Sequence, residues 1–447
     1  MVCSVKDFEW VSVSIDQLGR VFYDDKNFYR GIYNNRCALG RVKRMFKRGL
    51  INELIKKEMI LPIEIVDMSF SDTNEYGMFL RSERIKNIIY PTEWSFSMLL
   101  NAAKLMLEME KVLLKYGYTF MDYHPYNIIW KGIKAYHIDL GSIIVANEKS
   151  VSLFIRAMEE KYYRPLYMWR KMKRSVTNIY LADGGIDEKE WNEYLYGIII
   201  GEVLNENKFF RVGIQKTNFA LLEKKFDKLT DFERKIEAGH HLDWSGYQDI
   251  YFDEEGRIKE NERFQVVAGY LKKYQVRSIT ELAANQGAFS QMCIEQNVIE
   301  YSLAIDYDEW AVDKMYRRLK NMKNPLPLNI GVVNIVMSKS RDHNEARKRM
   351  KNEAVVALAL THHLILSQGL TMGKTLDIIA DYGNKYIFVE YMPLGLWSKK
   401  SRSRLRQLPK EYTLENFKCE FEKRCILREE INISKNRILF IGEKLDK

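Results

Sequence analysis

The chain has 447 residues, a hydrophobic fraction of 46% and a net charge of +10 at pH 7. This length suits two or three domains with sizeable cores, and no apolar stretch reaches the length of a transmembrane helix. The N-terminus shows no signal-peptide pattern and the five cysteines form no CxxC pair, so we expect a cytoplasmic protein with reduced thiols. The charge admits anionic partners such as nucleotides or phosphorylated glycans, and nucleic acid is not excluded.

The first part of the chain alternates strand-like and helical patterns. Residues 20–23 and 28–33 flank a polar Asp-Asp-Lys-Asn turn and predict a hairpin. Residues 42–57 have helical periodicity, and residues 76–83 are strand-like. A long amphipathic helix is predicted over residues 93–116, because apolar side chains recur there at steps of three and four.

The polar segment after this helix carries three residues with the spacing of a phosphotransferase site. Asp122 precedes Asn127 by five positions, and Asp139 opens an Asp-Leu-Gly triplet twelve residues later. The pattern resembles the catalytic loop and the Asp-Phe-Gly motif of protein kinases and related phosphotransferases. The resemblance implies an α+β kinase-like domain over residues 1–150. In it, Asp122 would accept the proton of an acceptor hydroxyl, and Asn127 and Asp139 would bind Mg²⁺ on the phosphates of ATP.

The kinase-like pattern is incomplete. No Gly-x-Gly-x-x-Gly precedes residue 28, so the loop that covers the phosphates in kinases is missing. Arg30 occupies the strand position where kinases carry a lysine, and Glu53 or Glu58 is its predicted helix partner. A degenerate kinase-like module, or a polar turn between two strands beneath a helix, are therefore the alternatives.

A helical connecting region is predicted over residues 151–259, rich in aromatic and basic side chains. Within it, His240 and His241, with Asp243 and Trp244, form either a lid or substrate contact or a polar loop. Two basic runs follow, at residues 341–351 and 399–410. We expect solvated surfaces there in preference to a binding patch.

Residues 279–287, Ile-Thr-Glu-Leu-Ala-Ala-Asn-Gln-Gly, predict a strand and a tight turn that leads into a helix. A second strand ends in Asp306 about twenty residues later, which completes a nucleotide-binding βαβ pattern in which the acid accepts hydrogen bonds from ribose hydroxyls. A dinucleotide site needs three glycines, but the three positions are occupied here by Ala283, Asn285 and Gly287. Glu281 and Asn285 suit a cationic ligand, so S-adenosyl-L-methionine is favoured. A strand-turn-helix without a cofactor is the alternative.

Residues 260–447 resemble class I S-adenosylmethionine-dependent methyltransferases in their alternating strands and helices. The resemblance implies an α/β Rossmann-like domain with a mostly parallel sheet, an antiparallel edge at residues 425–433 and 437–441, and the cofactor at the carboxyl ends of the first strands. The cofactor-binding residues would be Glu281, Ala283, Asn285, Gly287, Asp306, Tyr307 and Leu360. The third strand departs from the family, because instead of the acid expected near adenine it offers Asn329, Gly331 and Asn334.

A buried strand is predicted over residues 354–360 and is followed by Thr-His-His. In this architecture the loop after the fourth strand faces the transferred methyl group. His362 or His363 is therefore the candidate general base or acceptor-orienting group, since imidazole titrates near neutral pH. The alternative is that one histidine caps the following helix. Glu390, at the end of the next strand, ranks behind them because strand-end acids also cap helices.

Further segments resemble methyltransferases related to host-specific nodulation proteins, which are often found with glycan-modifying enzymes. They are Ala-Leu-Ala-Leu-Thr-His-His-Leu at 357–364, Ile-Phe-Val-Glu at 387–390 and Tyr-Pro-Thr-Glu-Trp-Ser-Phe-Ser at 90–97. The resemblance implies a methyltransferase acting on a small molecule or saccharide, with an N-terminal module that binds the acceptor or phosphorylates it with Mg-ATP. The alternative is a non-catalytic binding or scaffold protein, including an RNA-binding one, built from two degenerate halves.

Overall fold

The computed structural model describes residues 2–11, 16–172, 185–186, 189–192, 219–235, 246–336, 347–398, 403–404 and 407–445. The N-terminal strands are β1 (Val2–Cys3), β2 (Glu9–Trp10), β3 (Gly19–Tyr23), β4 (Asn27–Tyr33), β5 (Glu64–Val66), β6 (Ser69–Phe70) and β7 (Tyr76–Glu83). The predicted hairpin consists of β3 and β4, and it lies in a five-stranded antiparallel sheet with the order β2-β3-β4-β7-β5. Two helices, α1 (Arg36–Lys47) and α2 (Leu50–Lys56), separate β4 from β5. The single helix predicted over 42–57 is interrupted because Gly49 adopts a left-handed φ of 77°.

A helical body follows this sheet, centred on α3 (Phe96–Lys115). The predicted start at residue 93 is wrong, because Ser95 caps the helix by accepting a hydrogen bond from the Met98 N–H. Four short strands form two hairpin-like pairs beneath α3: β8 (Tyr118–Phe120) with β11 (Ile143–Val145), and β9 (Ile128–Lys131) with β10 (Lys134–His137). Further helices in the described residues of this body are α4 (Glu148–Met158), α5 (Arg164–Met172) and α6 (Phe219–Lys235). Among the described helices, none combines the length and apolarity needed to cross a membrane.

The C-terminal part contains a seven-stranded sheet. Its strands are β12 (Ser278–Leu282), β13 (Tyr301–Asp306), β14 (Leu328–Val332), β15 (Asn352–Ala357), β16 (Gly383–Tyr391), β19 (Cys425–Ser434) and β20 (Arg437–Lys444), in the order β14-β13-β12-β15-β16-β20-β19. The first five pair in parallel, whereas β20 and β19 are antiparallel. Outside this sheet, the two-residue strands β17 (Trp397–Ser398) and β18 (Ser403–Arg404) pair in antiparallel orientation. The helices are α7 (Glu262–Lys273), α8 (Ala288–Glu295), α9 (Glu309–Lys320), α10 (Met372–Ala380) and α11 (Leu414–Glu422). The predicted mixed, mostly parallel sheet is confirmed.

One continuous hydrophobic core runs through both parts of the chain. At the seam the backbone N–H and the hydroxyl of Ser97 donate to the buried carboxylate of Asp313 at 2.7 and 3.0 Å. Arg349 forms an ion pair with Glu93 at 2.6 Å, and the rings of Trp130 and Tyr316 pack edge to face at 5.5 Å. The N-terminal half therefore covers helix α9 and the β14 edge of the large sheet.

Candidate functional site

The turn after β12 keeps the backbone shape of a glycine-rich loop although only its last position is glycine. Ala283, Asn285 and Gly287 have φ values of 52°, 53° and 69°. Left-handed backbone costs a residue with a side chain about 1–2 kcal/mol, so the surrounding fold must hold two of these residues in place. Asp306 contributes to this by accepting a hydrogen bond from the Asn285 N–H at 2.7 Å. The structure thus brings the three turn positions and Asp306 together at the carboxyl ends of β12 and β13.

Asp306 ends β13 with its carboxylate almost fully buried. One oxygen accepts from Asn285 and the other accepts from the Asp308 N–H at 2.8 Å. Burial raises the pKa of Asp306 to about 6, against the effect of these backbone hydrogen bonds. The next residue, Tyr307, is 55% exposed, so its ring is open to a ligand beside the buried acid.

Glu281 lies in the middle of this arrangement, on β12, and is buried. Its carboxylate accepts hydrogen bonds from the Ser290 hydroxyl and, at 3.1 Å, from the Ser290 N–H. Burial raises the pKa of Glu281 to about 7, and within the described ranges it forms no ion pair. Two buried carboxyl groups with raised pKa values would both be stabilised in their charged form by a cation.

Gln248 also contributes to the turn and was not anticipated from the sequence. Its side-chain amide donates to the Ala284 carbonyl at 3.0 Å, and its carbonyl accepts from the Ala288 N–H at 3.1 Å. The residue is buried, so the segment around it covers one face of the turn. Two cavities, of about 320 and 660 Å³, lie elsewhere on the protein, and no predicted cofactor-binding residue lines either of them. Gln248 carries no recognisable motif, so only the folded chain reveals this contact.

The histidine pair follows β15 at the same edge of the sheet. The strand ends at Ala357 instead of residue 360, because Ala359 turns into a left-handed φ of 55°. His362 is 6% exposed, and in the described part of the chain its Nδ1 has no hydrogen-bond partner. Burial lowers its pKa to about 3, with His363 and Arg437 adding to the effect.

His363 is less buried than its neighbour, and burial lowers its pKa too. Its ring centroid lies 4.1 Å from that of His362. Its backbone N–H donates to the backbone carbonyl of the buried Leu360 at 3.0 Å. A base with a pKa of about 3 is poorly matched to neutral pH. His363 is therefore the better-suited proton acceptor of the pair.

Glu390 is fully buried between two arginines. Arg263 contacts both carboxylate oxygens, at 2.7 and 2.6 Å, and Arg437 contacts one of them at 2.8 Å. The Ala359 N–H also donates to this carboxylate at 2.7 Å, and the Thr361 hydroxyl donates to the Glu390 carbonyl at 2.7 Å. The geometry favours Glu390 as the residue that fixes the histidine loop over a role as a base.

The kinase-like residues lie on the loops below α3. Asp122 is exposed and accepts from the His124 N–H at 3.0 Å, and the Asn127 carbonyl accepts from the Ile138 N–H at 2.9 Å. Burial lowers the pKa of His137 to about 4, and both Asp122 and Asp139 oppose this shift electrostatically, which places the two acids near the same ring. In the described part of the chain, no three His, Cys, Asp or Glu side chains are arranged to hold a metal ion.

Arg30 has different partners from those predicted. It forms ion pairs with Asp16 and, at 3.2 Å, with Asp139. The predicted partners Glu53 and Glu58 are wrong, because α2 places Glu53 against Lys115 and Glu58 reaches Lys134. Asp16 lies in the loop between β2 and β3, near Gly141, where no sequence motif pointed to it. Arg30 is therefore paired with two carboxylates in place of the predicted helix glutamate.

The missing acid of the third strand has a structural explanation. Asn329 accepts a hydrogen bond from the Gly132 N–H at 2.7 Å and donates to the Asn87 carbonyl at 3.4 Å. A carboxylate could accept the first bond but not donate the second. Gly331 lies against Ile89, so this strand is used for contact with the N-terminal half.

His240, His241, Asp243 and Trp244 lie outside the described residues, as do residues 341–346, 399–402 and 405–406 of the two basic runs.

No protein-family model matches the chain. The nodulation protein NoeA of Rhizobium meliloti (strain 1021) is 23% identical over 379 residues, which cover 76% of this chain and 78% of that protein. The predicted resemblance to the nodulation-protein-like group is confirmed by this similarity.

Two solved structures show partial likeness. The bifunctional kinase-methyltransferase WbdD aligns with a TM-score of 0.30 and 14% identity over 41% of this chain and 39% of its own. The N-methyltransferase NodS from Bradyrhizobium japonicum WM9, in complex with S-adenosyl-L-homocysteine, aligns with a TM-score of 0.32 and 12% identity over 48% of this chain and 98% of NodS. This chain therefore spans less than half the length of WbdD.

Proposed function

We propose that the chain is an S-adenosylmethionine-dependent methyltransferase that acts on a small molecule or a saccharide. The observation that carries the proposal is the left-handed turn with Asp306 at the carboxyl ends of β12 and β13. β12 lies between β13 and β15, so this edge is the point where the strand order reverses. Open α/β sheets bind their ligands in the crevice at that point.

The charge of the site supports a cationic cofactor. Glu281 and Asp306 are both buried, and both have raised pKa values. A sulfonium and an ammonium group would stabilise these carboxylates, whereas a pyrophosphate would be repelled by them. A methyl donor therefore suits the site better than a dinucleotide.

The chain's own residues have distinct proposed roles. Asp306 binds the ribose hydroxyls, Tyr307 borders the adenine, and Leu360 packs beside the donor. When bound, S-adenosylmethionine supplies an activated methyl group. His363 accepts the proton of the acceptor hydroxyl while His362 orients the acceptor, and holding the acceptor in line supplies much of the rate enhancement.

For the N-terminal half we propose a kinase-like module that binds the acceptor. The strand order of its sheet, with α1 and α2 inserted between β4 and β5, supports a kinase-like fold. Asp16, which pairs with Arg30, argues against Mg-ATP in this half, because it occupies a guanidinium that would otherwise be available to a phosphate. Acceptor binding therefore fits the module better than phosphorylation.

Titration calorimetry with S-adenosylmethionine, S-adenosylhomocysteine and Mg-ATP, each alone, tests these assignments. We expect the first two to bind, and Asp306→Ala to weaken both about tenfold or more. Asp377→Ala, which removes an acid paired with Arg424, is the control and should bind like the parent. Full affinity in Asp306→Ala would contradict the ribose assignment.

A parent protein that binds neither donor nor product would favour the scaffold alternative. That alternative predicts RNA binding with a steep dependence on salt concentration, which can be measured on the same preparation.

A further inference from the structure

The corner where β15 and β16 end contains an excess of partly buried positive charge. The Glu390 carboxylate is shared by Arg263 and Arg437, and both guanidinium groups remain charged at any physiological pH. One carboxylate thus neutralises only one of the two arginines. A buried charge without a counter-ion is costly, so this corner is suited to a further anionic group.

The two guanidinium groups also keep unused hydrogen-bond donors. Arg263 bonds Glu390 through Nε and one terminal nitrogen, and Arg437 bonds Glu390 and the sulfur of Met392 through a single nitrogen. Within the described ranges, the remaining N–H groups of both arginines make no hydrogen bond. Their side chains are 15% and 20% exposed, so a small molecule can reach them.

His362 lies at this same corner. The preceding Thr361 is bonded to the Glu390 carbonyl, and Arg437 and Arg263 both act electrostatically on the His362 ring. Its Nδ1 is buried and has no hydrogen-bond partner among the residues that the structure describes. A buried polar atom in this state costs free energy, and a polar group of a ligand would remove that cost.

The nearby acids do not cancel the excess. Glu281 hydrogen-bonds to Ser290 and Asp306 to the turn backbone, and in the described residues neither forms an ion pair with Arg263. Tyr251, which also faces both arginines, has a pKa raised by burial and stays neutral.

We propose that Arg263, Arg437 and His362 form an oxyanion-binding corner that takes a carboxylate or phosphate group of the methyl-transfer complex. Two N–H donors of a guanidinium match the two oxygens of such a group. The anion has two possible sources: the methionine carboxylate of the donor, or an acidic group on the acceptor. This inference rests on the proposed methyltransferase function and refines its substrate class.

Arg437→Gln tests the corner. It removes the excess charge and leaves the two-point contact between Arg263 and Glu390 intact. Arg347→Gln is the matched control, because Arg347 pairs with Asp381 at 2.7 Å, has a similar exposure of 18% and lies at the opposite end of β16. Calorimetry would compare S-adenosylhomocysteine with 5′-methylthioadenosine, which lacks the amino-acid portion. Thermal unfolding would compare acetate and inorganic phosphate in the presence of saturating S-adenosylhomocysteine.

Two results would support the corner and distinguish the sources. If it binds the donor, Arg437→Gln weakens S-adenosylhomocysteine about tenfold or more and leaves 5′-methylthioadenosine unchanged. If it binds the acceptor, S-adenosylhomocysteine affinity is unchanged, and acetate or phosphate stabilises the parent and Arg347→Gln but not Arg437→Gln. A parent that binds S-adenosylhomocysteine, with no difference between the variants in either arm, overturns the proposal.

Two further readouts keep the test decisive. Should Arg437→Gln fail to fold, His362→Phe keeps the ring and removes Nδ1, and it must show the same loss. Should the parent bind no S-adenosylhomocysteine, the methyltransferase function fails, and the acetate and phosphate measurements on the free protein still decide whether the corner binds anions.

Discussion

The two halves contain buried charge clusters of opposite composition. In the N-terminal half one guanidinium, on Arg30, lies between Asp16 and Asp139. In the C-terminal half one carboxylate, on Glu390, lies between two arginines. The same residue types in reversed ratio leave an excess of negative charge in the first cluster and of positive charge in the second. The first is therefore the less suited to a phosphate, and the second is the corner that we propose to bind an oxyanion.

In this protein, motif spacing and the charge around the motif are separate properties. Asp122, Asn127 and Asp139 have the separation of a kinase site, yet an acid from an unrelated loop neutralises the arginine that would meet the phosphates. The C-terminal motif lacks two glycines but keeps the backbone shape that they would provide.

The largest expected effect is on the C-terminal cluster. Glu390→Gln removes a fully buried carboxylate and leaves two partly buried guanidinium groups without a counter-ion, and we expect the free energy of unfolding to fall by about 3–5 kcal/mol. Urea unfolding measures this loss. Glu443→Gln, which breaks an exposed pair with Arg428, should cost at most about 1 kcal/mol. Equal losses in the two variants would show that Glu390 stabilises the fold no more than an exposed ion pair does.

The next effect concerns a buried carboxyl group in each half, Glu110 and Glu281, whose pKa values burial raises to about 7. Because the folded pKa lies above the unfolded one, each stabilises the fold fully below about pH 4.5 and loses that contribution as pH rises through about 7. Glu110→Gln should remove about 2–3 kcal/mol of the decline in stability between pH 5 and 8. Urea unfolding at several pH values checks this, with the exposed Glu108→Gln as control. An unchanged decline would mean that Glu110 is not the titrating group.

Asp16→Asn tests whether the negative charge around Arg30 weakens the binding of Mg-ATP. The change leaves Arg30 paired with Asp139 alone and removes the excess negative charge, so Mg-ATP should bind about tenfold more tightly than to the parent. Calorimetry measures this affinity, and the exposed Asp72→Asn in the same half is the control. Tight Mg-ATP binding by the parent would contradict this interpretation, because the acids around Arg30 would then not hinder the nucleotide.

The smallest effect tests the left-handed turn. Ala283→Gly relieves a strain of about 1–2 kcal/mol and adds about 0.5–1 kcal/mol of unfolded-chain entropy, so we expect stability to rise by up to about 1 kcal/mol. The adjacent Ala284→Gly has no positive φ to relieve and should lower stability instead. Thermal unfolding of the two variants gives the comparison, and the same sign in both would contradict the strained turn.

The sequence was most informative where local pattern and tertiary role agree. Continuous apolar runs indicate the central parallel strands, and the acid that ends β13 is recognisable from its distance to the turn. Arg30 and Asp139 are 109 positions apart, and Arg263 and Glu390 are 127 apart. Such pairs depend on how loops and helices pack, so no local signal predicts them. The start of α3 was misplaced for a similar reason, since Glu93 is held by Arg349 from the other half.

The seam between the halves limits how this protein can be divided. Ser97 satisfies the buried Asp313, and Asn329 bonds to the backbone on the far side of the seam. A fragment starting at residue 260 would expose β14 as a bare sheet edge and leave an acid without its hydroxyl partner. We therefore expect the part from residue 260 onward to be unstable by itself, so fusion or truncation designs should carry both halves together.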